Sequence, residues 1–221
     1  MSIAQVTGIF IILVMAFFPG CRKNIVRDID GNAYRSVKIG NQQWMTENLK
    51  TTRLNDGTPI PHITHYDEWA VLQSPAYSWY NNDSTGKNDY GVLYNWHTVS
   101  TGKLCPAGWH IPTQKEWFNL SMFLKVPELA GGILKETGFT HWKAPNTGAT
   151  NESGFSARGS GYRSMDGSYN FITIGGFWWS SSEYMKNAWY GTLYYKTSAF
   201  NILQGGKGNG FSVRCIKDPV H

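Results

Sequence analysis

Charge is scarce in this 221-residue chain: only 16% of its residues are Asp, Glu, Lys or Arg. The net excess of +5 is spread thinly, with no basic run longer than Arg22-Lys23. A diffuse excess of that kind excludes an electrostatic footprint for nucleic acid and reads as a solvated surface. Long apolar runs are missing too. The block Ile9 to Phe18 is too short to span a bilayer. Cysteine is limited to three positions, 21, 105 and 215, too few for a disulfide-rich scaffold or a cysteine zinc site. No repeat, low-complexity tract or linker divides the chain after its first residues, so one domain is expected over 26–218.

What is present is aromatic and turn-rich: 10 Trp, 12 Tyr, 11 Phe and 24 Gly. That mixture suits antiparallel strands and hairpins better than a helical bundle. The first 20 residues carry no charge, and their apolar block followed by Pro19-Gly20-Cys21 reads as a signal peptide. Cys21, behind a small residue, resembles a bacterial lipobox cysteine. The expectation is a signal over 1–20, lipidation at Cys21 and a tether over 21–25. Setting Cys21 aside leaves Cys105 and Cys215 as an even pair in an oxidising compartment, so a disulfide is expected between them.

The clearest local instruction lies at 105–124. Thr113 with Glu116 three positions on makes a capping box, and Trp117, Leu120, Phe123 and Leu124 recur at helical spacing. One main core helix is therefore expected over about 113–124, closed by Pro127. Around it, Tyr34 to Ile39 and the run through Trp44-Met45 read as a hairpin about Gly40-Asn41. Later strands are expected at 171–174, 177–181, 188–195, 199–203 and 211–216. Trp178 and Trp179 point to opposite faces of one strand, which predicts that at most one is core. Residues 143–163 form a polar, Gly-rich segment of the length that carries function in compact domains.

Ionisable clusters are few. His62 and His65, beside Asp67 and Glu68, have a spacing that metal ligands use, but a polar loop leading into a short helix explains them more simply, and no metal is expected. Ser180, His110 and Asp166 make a triad only on paper, since no serine sits in a nucleophile-elbow context; no catalytic residue is assigned.

Gly108-Trp109-His110-Ile111-Pro112-Thr113 with Glu116-Trp117, Asp30-Gly31-Asn32, Trp44-Met45, Thr150-Asn151-Glu152-Ser153-Gly154-Phe155, Trp179-Ser180-Ser181 and Gly210-Phe211-Ser212-Val213-Arg214-Cys215 carry a resemblance. Together they resemble the Fibrobacter succinogenes major paralogous domain family. That resemblance implies an α+β, C-type lectin-like fold, in which terminal strands meet and a disulfide joins the helix region to the last strand. It also implies an exported lipoprotein of the outer membrane, on the periplasmic face or the cell surface.

The superfamily's activities do not carry over residue by residue. No second cysteine stands beside Cys215 for copper chemistry, and neither a Glu-Pro-Asn nor a Gln-Pro-Asp calcium loop occurs, so no cofactor is expected and calcium lacks its motif. The expected function is a non-enzymatic recognition module of the envelope for a glycan or a protein. Trp142, Asn151, Glu152, Trp179, Glu183 and Trp189 are its candidate contacts. The alternative is a structural or assembly subunit of a surface or fimbrial complex.

Overall fold

A computed structural model of the chain describes residues 25–124 and 127–219. The expected signal peptide and the Cys21 tether lie outside them. Near the N-terminus, β1 (Ile25–Arg27), β2 (Ala33–Ile39) and β3 (Gln42–Met45) form an antiparallel meander. Asp28 shapes its first turn, its carboxylate accepting the backbone N–H of Asp30 and Asn32. Gly40, at φ 62°, makes the tight turn between β2 and β3.

A mostly irregular stretch follows. It contains α1 (Tyr66–Ala70), β4 (Tyr77–Ser78), α2 (Lys87–Tyr90), β5 (Leu93–Tyr94) and α3 (Trp96–Val99), with β4 and β5 paired. Then β6 (Trp109–His110) delivers the chain into α4 (Gln114–Phe123), and α5 (Pro127–Leu134) comes next. The remaining strands are β7 (Ser160–Arg163), β8 (Tyr169–Ile172), β9 (Gly175–Tyr184), β10 (Asn187–Tyr194), β11 (Phe200–Gly206) and β12 (Ile216–Lys217).

Two five-stranded sheets organise these elements. The first has the order β1-β2-β3-β12-β6, so the end of the chain is inserted beside its beginning: Ile216 pairs with Trp44 on one side and His110 on the other. The second has the order β11-β10-β9-β7-β8. The Cys105–Cys215 disulfide, Cα to Cα 6.0 Å, clasps the approach to β6 to the residue before β12.

This architecture corrects the expected α+β fold built around one main helix. The protein is mostly β, 33% strand against 19% helical, with two curled sheets and several short helices. The capping box does form: the Thr113 hydroxyl accepts the Glu116 N–H, and the Glu116 carboxylate accepts the Thr113 N–H. What it starts is one ten-residue helix among several, not the organising element. Pro127 does not simply close it. Proline is tolerated in a first helical turn, and Pro127 opens α5.

The central element is β9. Phe177 and Trp179 enter one apolar cluster with Tyr94, Phe211 and Val213, while Trp178 enters another with Trp44, Trp117 and Phe155. Both tryptophans are therefore fully buried, against the expectation that at most one is core. A strand covered on both faces does not alternate in polarity. Each indole N–H is also satisfied, Trp179 donating to Tyr94 O at 2.7 Å and Trp178 to Asn48 Oδ1 at 2.8 Å. The stripe on α4 buries Trp117, Leu120 and Leu124, but leaves Phe123 62% exposed.

Candidate functional site

The expected contacts fall in different places. Trp142 and Trp179 are buried, and the Trp142 indole N–H donates to Ala157 O at 2.8 Å, so neither ring offers a face to a ligand. Trp189 is half-buried with Tyr184 edge-on at 5.7 Å. Asn151 closes its own loop, accepting Ser156 N–H at 2.8 Å and donating to Ser156 Oγ at 3.0 Å. Ser153 Oγ donates to Ile133 O. Glu152 is exposed on the rim of a groove beside Lys38 and Phe123, whereas Glu183 is salt-bridged to Lys207. No contact joins Glu152 to Glu183 among the described residues.

Residues 143–159 are held down rather than presented. Asn146 Nδ2 donates to Glu136 O and Gly138 O at 2.9 Å, and Lys135 Nζ donates to Thr147 O at 2.8 Å. A Cβ on Gly132 would stand 2.3 Å from Gly148 O, so α5 meets this segment with bare backbone. At its end a polar cluster ties it to α2: His141 Nδ1 lies 2.5 Å from Glu136 Oε2, and Arg158 bridges Glu136 and Asp89.

His62 packs its ring on Tyr77 and Trp79, at 5.0 and 4.6 Å, and burial lowers its pKa. Among the described residues no group of three or more His, Cys, Asp or Glu is placed to hold a metal ion. The paper triad is dispersed as well. Ser180 Oγ accepts Ser182 N–H, Asp166 is engaged by Ser168, and His110 lies between Asp218 (2.6 Å) and Glu116 (3.0 Å).

That His110 arrangement is structural. The hydrogen bond to Glu116, helped by Asp218, raises the His110 pKa above its ordinary 6.5 against the effect of burial. Burial pushes the Glu116 carboxyl up from 4.5, but hydrogen bonds from His110 and Thr113 outweigh it and hold the pKa down. A raised histidine stabilises fully below its unfolded pKa and loses that contribution as pH rises through its folded pKa; a depressed carboxyl stabilises above its unfolded value. Both contributions coexist between pH 4.5 and 6.5. The stability difference between the protein and His110→Gln should therefore be larger in urea melts at about pH 5.5 than at about pH 8.5. Equal differences at the two pH values would remove this role for His110.

A cleft lined by aromatic rings lies outside the expected residues. Tyr162 of β7, Phe171 of β8, Phe177 of β9, and Tyr190 and Tyr194 of β10 surround an open cleft of about 250 Å³ with Phe211 at its base. Tyr190 and Tyr194 stand four apart on β10, an even spacing, and so share a face. The register places Phe177 opposite Thr192, between them. Phe211 packs against Tyr190 at 4.7 Å and Trp179 at 4.3 Å, and Tyr162 against Phe177 at 4.8 Å. Gly205 and Asn209 complete the lining, and a Cβ on Gly205 would meet the Tyr190 ring at 3.0 Å.

Two properties set its chemistry. No Asp, Glu, Lys, Arg or His lines the cleft. Burial raises the pKa values of Tyr162, Tyr190 and Tyr194, so their hydroxyls stay protonated at neutral pH. The Tyr162 and Tyr190 hydroxyls have no partner among the described residues. The cleft thus combines flat apolar faces with uncharged donors. Phe171 sits at its lip, 41% exposed, with φ 64°, a left-handed conformation that costs a bulky residue of order 1–3 kcal/mol. Such strain clusters at ligand clamps.

Sequence reasoning missed this group because its members come from five separate segments. The one local signal was the alternation Tyr190-Gly191-Thr192-Leu193-Tyr194. Comparison with curated proteins and with solved structures finds no match. A family model described as the Fibrobacter succinogenes major domain matches residues 37–217, which includes every residue lining the cleft. The chain belongs to the Fibrobacter succinogenes major domain family.

Proposed function

We propose that this chain is an exported, lipid-anchored recognition module of the cell envelope, and that its ligand is an uncharged glycan seated in the aromatic cleft. The observation that carries the reading is the cleft itself, six aromatic rings and three tyrosine hydroxyls with no group charged at neutral pH among its lining. Sugar rings present an apolar C–H face and a rim of hydroxyls, which stacking on Tyr and Phe with O–H donors at the edge complements. The buried disulfide supports export, because such bonds persist in oxidising compartments. Anchoring at Cys21 rests on the sequence reading. The family description names no enzymatic activity.

A glycan array probed with the full chain, with and without calcium, tests the reading. Neutral glycans should bind, acidic ones should not, and chelation should change nothing. Tyr190→Ala should weaken binding about tenfold or more, equivalent to ~1.4 kcal/mol. Tyr190→Phe, which keeps the ring, should lose less. If the folded chain binds no glycan but captures an aromatic or prolyl peptide through the same tyrosines, the glycan reading is wrong. If Tyr190→Ala binds like the parent, the cleft is not the site.

A further inference from the structure

The helices α4 and α5 turn four large apolar side chains to solvent: Phe118 and Met122 (each 47% exposed), Phe123 (62%) and Leu129 (51%). The opposite side of α4 already buries Trp117, Leu120 and Leu124. Phe118 and Met122, one turn apart, therefore form a second apolar face that the fold leaves uncovered. Single exposed apolar residues are ordinary, but a cluster of this kind within twelve positions marks an interaction surface. Beside it runs a groove of about 380 Å³ floored by Ile39, Gly40, Phe123, Leu124 and Ile133. Lys115, exposed and three residues before Phe118, shares the face.

This face lies beside the β2–β3 turn. Phe123 lies on the β2–β3 turn, where a Cβ on Gly40 would meet its ring at 2.9 Å, and Gln42 Nε2 donates to Glu116 O at 3.1 Å. β1 runs antiparallel to β2 with Ile25 opposite Arg35. Ile25, the first described residue, sits beside Arg35, separated from the turn that Phe123 caps by the strand length from Arg35 to Gly40. Cys21 precedes Ile25 by four residues, on the order of 14 Å at full extension, and β2 covers roughly 17 Å from Arg35 to Gly40. The sequence before Cys21 is the uncharged stretch containing the apolar block Ile9 to Phe18.

We infer that the α4–α5 apolar face is a membrane-contacting face, seated at the boundary between headgroups and acyl chains of the bilayer that anchors the chain. This inference rests on the anchoring reading at Cys21 and is independent of the glycan. The physical gain is twofold. Lipid chains alone leave the domain free to swing on its tether, whereas inserting Phe118, Met122, Phe123 and Leu129 fixes one orientation and adds buried apolar area to the anchor. Lys115 is placed to meet lipid phosphates, whereas Lys38 shares the groove rim with the carboxylate of Glu152.

The test uses the full chain, processed by its own host and reconstituted in vesicles of phosphatidylethanolamine and phosphatidylglycerol. A nitroxide at Met122→Cys is compared with one at Met185→Cys, an 80% exposed site on the β9–β10 turn. The label at 122 should be accessible to oxygen and shielded from a water-soluble nickel chelate; the label at 185 should show the reverse. Replacing Phe118 and Met122 together by serine, with Phe123 left in place on the Gly40 turn, should lower the melting temperature by no more than a few degrees and raise loss from vesicles on washing at least tenfold. If the chain stays on vesicles while the label at 122 is as open to nickel as that at 185, the inference fails and the anchor stands. If the chain does not associate with vesicles, anchor and inference fall together. A label at 122 shielded from both reagents in a particle of twice the mass would show a second copy on this face and overturn the inference.

Discussion

Replacing Cys105 and Cys215 together by alanine is expected to cost about 4–5 kcal/mol of unfolding free energy. The bond closes a loop across a sequence separation of 110 residues. By the chain-entropy argument, a link over that distance removes more freedom from the unfolded chain than one across a short turn. For a domain of this size the loss corresponds to a drop in melting temperature of roughly 10–20 °C. The folded state is expected to keep its local geometry without the bond. Beside the bond, Met45 N–H donates to Cys215 O at 3.0 Å and Asn55 Nδ2 to Cys105 O at 3.0 Å, backbone contacts that do not need the sulfurs. The effect should therefore appear in the unfolded state, as a lower urea midpoint with a native fold at low denaturant. The looped stretch holds α4, α5 and the whole second sheet, so this clasp connects that half of the molecule to the first sheet. A double variant within 1 kcal/mol of the parent would show that the denatured chain retains the restriction by other means.

The pairing was legible because counting alone left two cysteines. The capping box was legible because it is a contact between residues three apart, and so were the hairpin β2–β3 and strands β9 to β11, announced by apolar and aromatic runs set between turn residues. What failed was what depends on covering partners. Nothing near Trp178 and Trp179 says that both faces of β9 are buried; that follows from Asn48, Tyr94 and Phe211, all distant in sequence. Phe123 fits the helical stripe as well as Leu124 does, yet Leu124 takes the core position and Phe123 rests on the Gly40 turn. The same limit hid the aromatic cleft. Its rings are recruited by sheet order β10-β9-β7-β8, with the parallel pairing of β7 and β9 that no hairpin signal announces. The loop signal at 143–163 corresponded to an unusual segment over 143–159, whose polar side chains chiefly satisfy its own backbone and that of α5, while the last four residues, 160–163, form β7.

Three cations inside the molecule were equally invisible in the sequence. Arg163, Arg214 and Lys135 are all essentially fully buried. Arg163 stacks 4.3 Å from Trp69 and donates to Gly167 O and His65 O; Lys135 donates to Thr147, Tyr194 and Thr197 carbonyls. Burial pulls the Lys135 pKa down to about 8. Among the described residues none of the three has a carboxylate within salt-bridge distance. Oriented carbonyl dipoles replace the lost water, a form of compensation that works only when several converge.

Arg214 gives the sharpest test of that compensation. Its Nε and Nη2 donate to Asn48 Oδ1 at 3.2 and 2.9 Å, Nη1 donates to Phe155 O, and its guanidinium lies 4.2 Å over the Phe155 ring. It thereby joins the residue next to the disulfide, the segment after β3 and the long loop. Burial lowers its pKa, yet the group remains charged at neutral pH. Arg214→Ala strands the Phe155 carbonyl and part of Asn48, and opens a cavity. The expected cost is about 3–5 kcal/mol, since each stranded buried acceptor costs ~1–3 kcal/mol before the void is counted. Arg214→Met separates packing from hydrogen bonding. It refills much of the space but supplies no donor, so it should still cost about 2 kcal/mol or more. Arg214→Lys keeps the charge but offers one ammonium where a planar fork spans Asn48 and Phe155, and it should not restore the parent's stability. The comparison is made by urea unfolding with the disulfide intact. A methionine variant as stable as the parent would mean that Arg214 serves only to fill space, and that the carbonyls it meets find other donors.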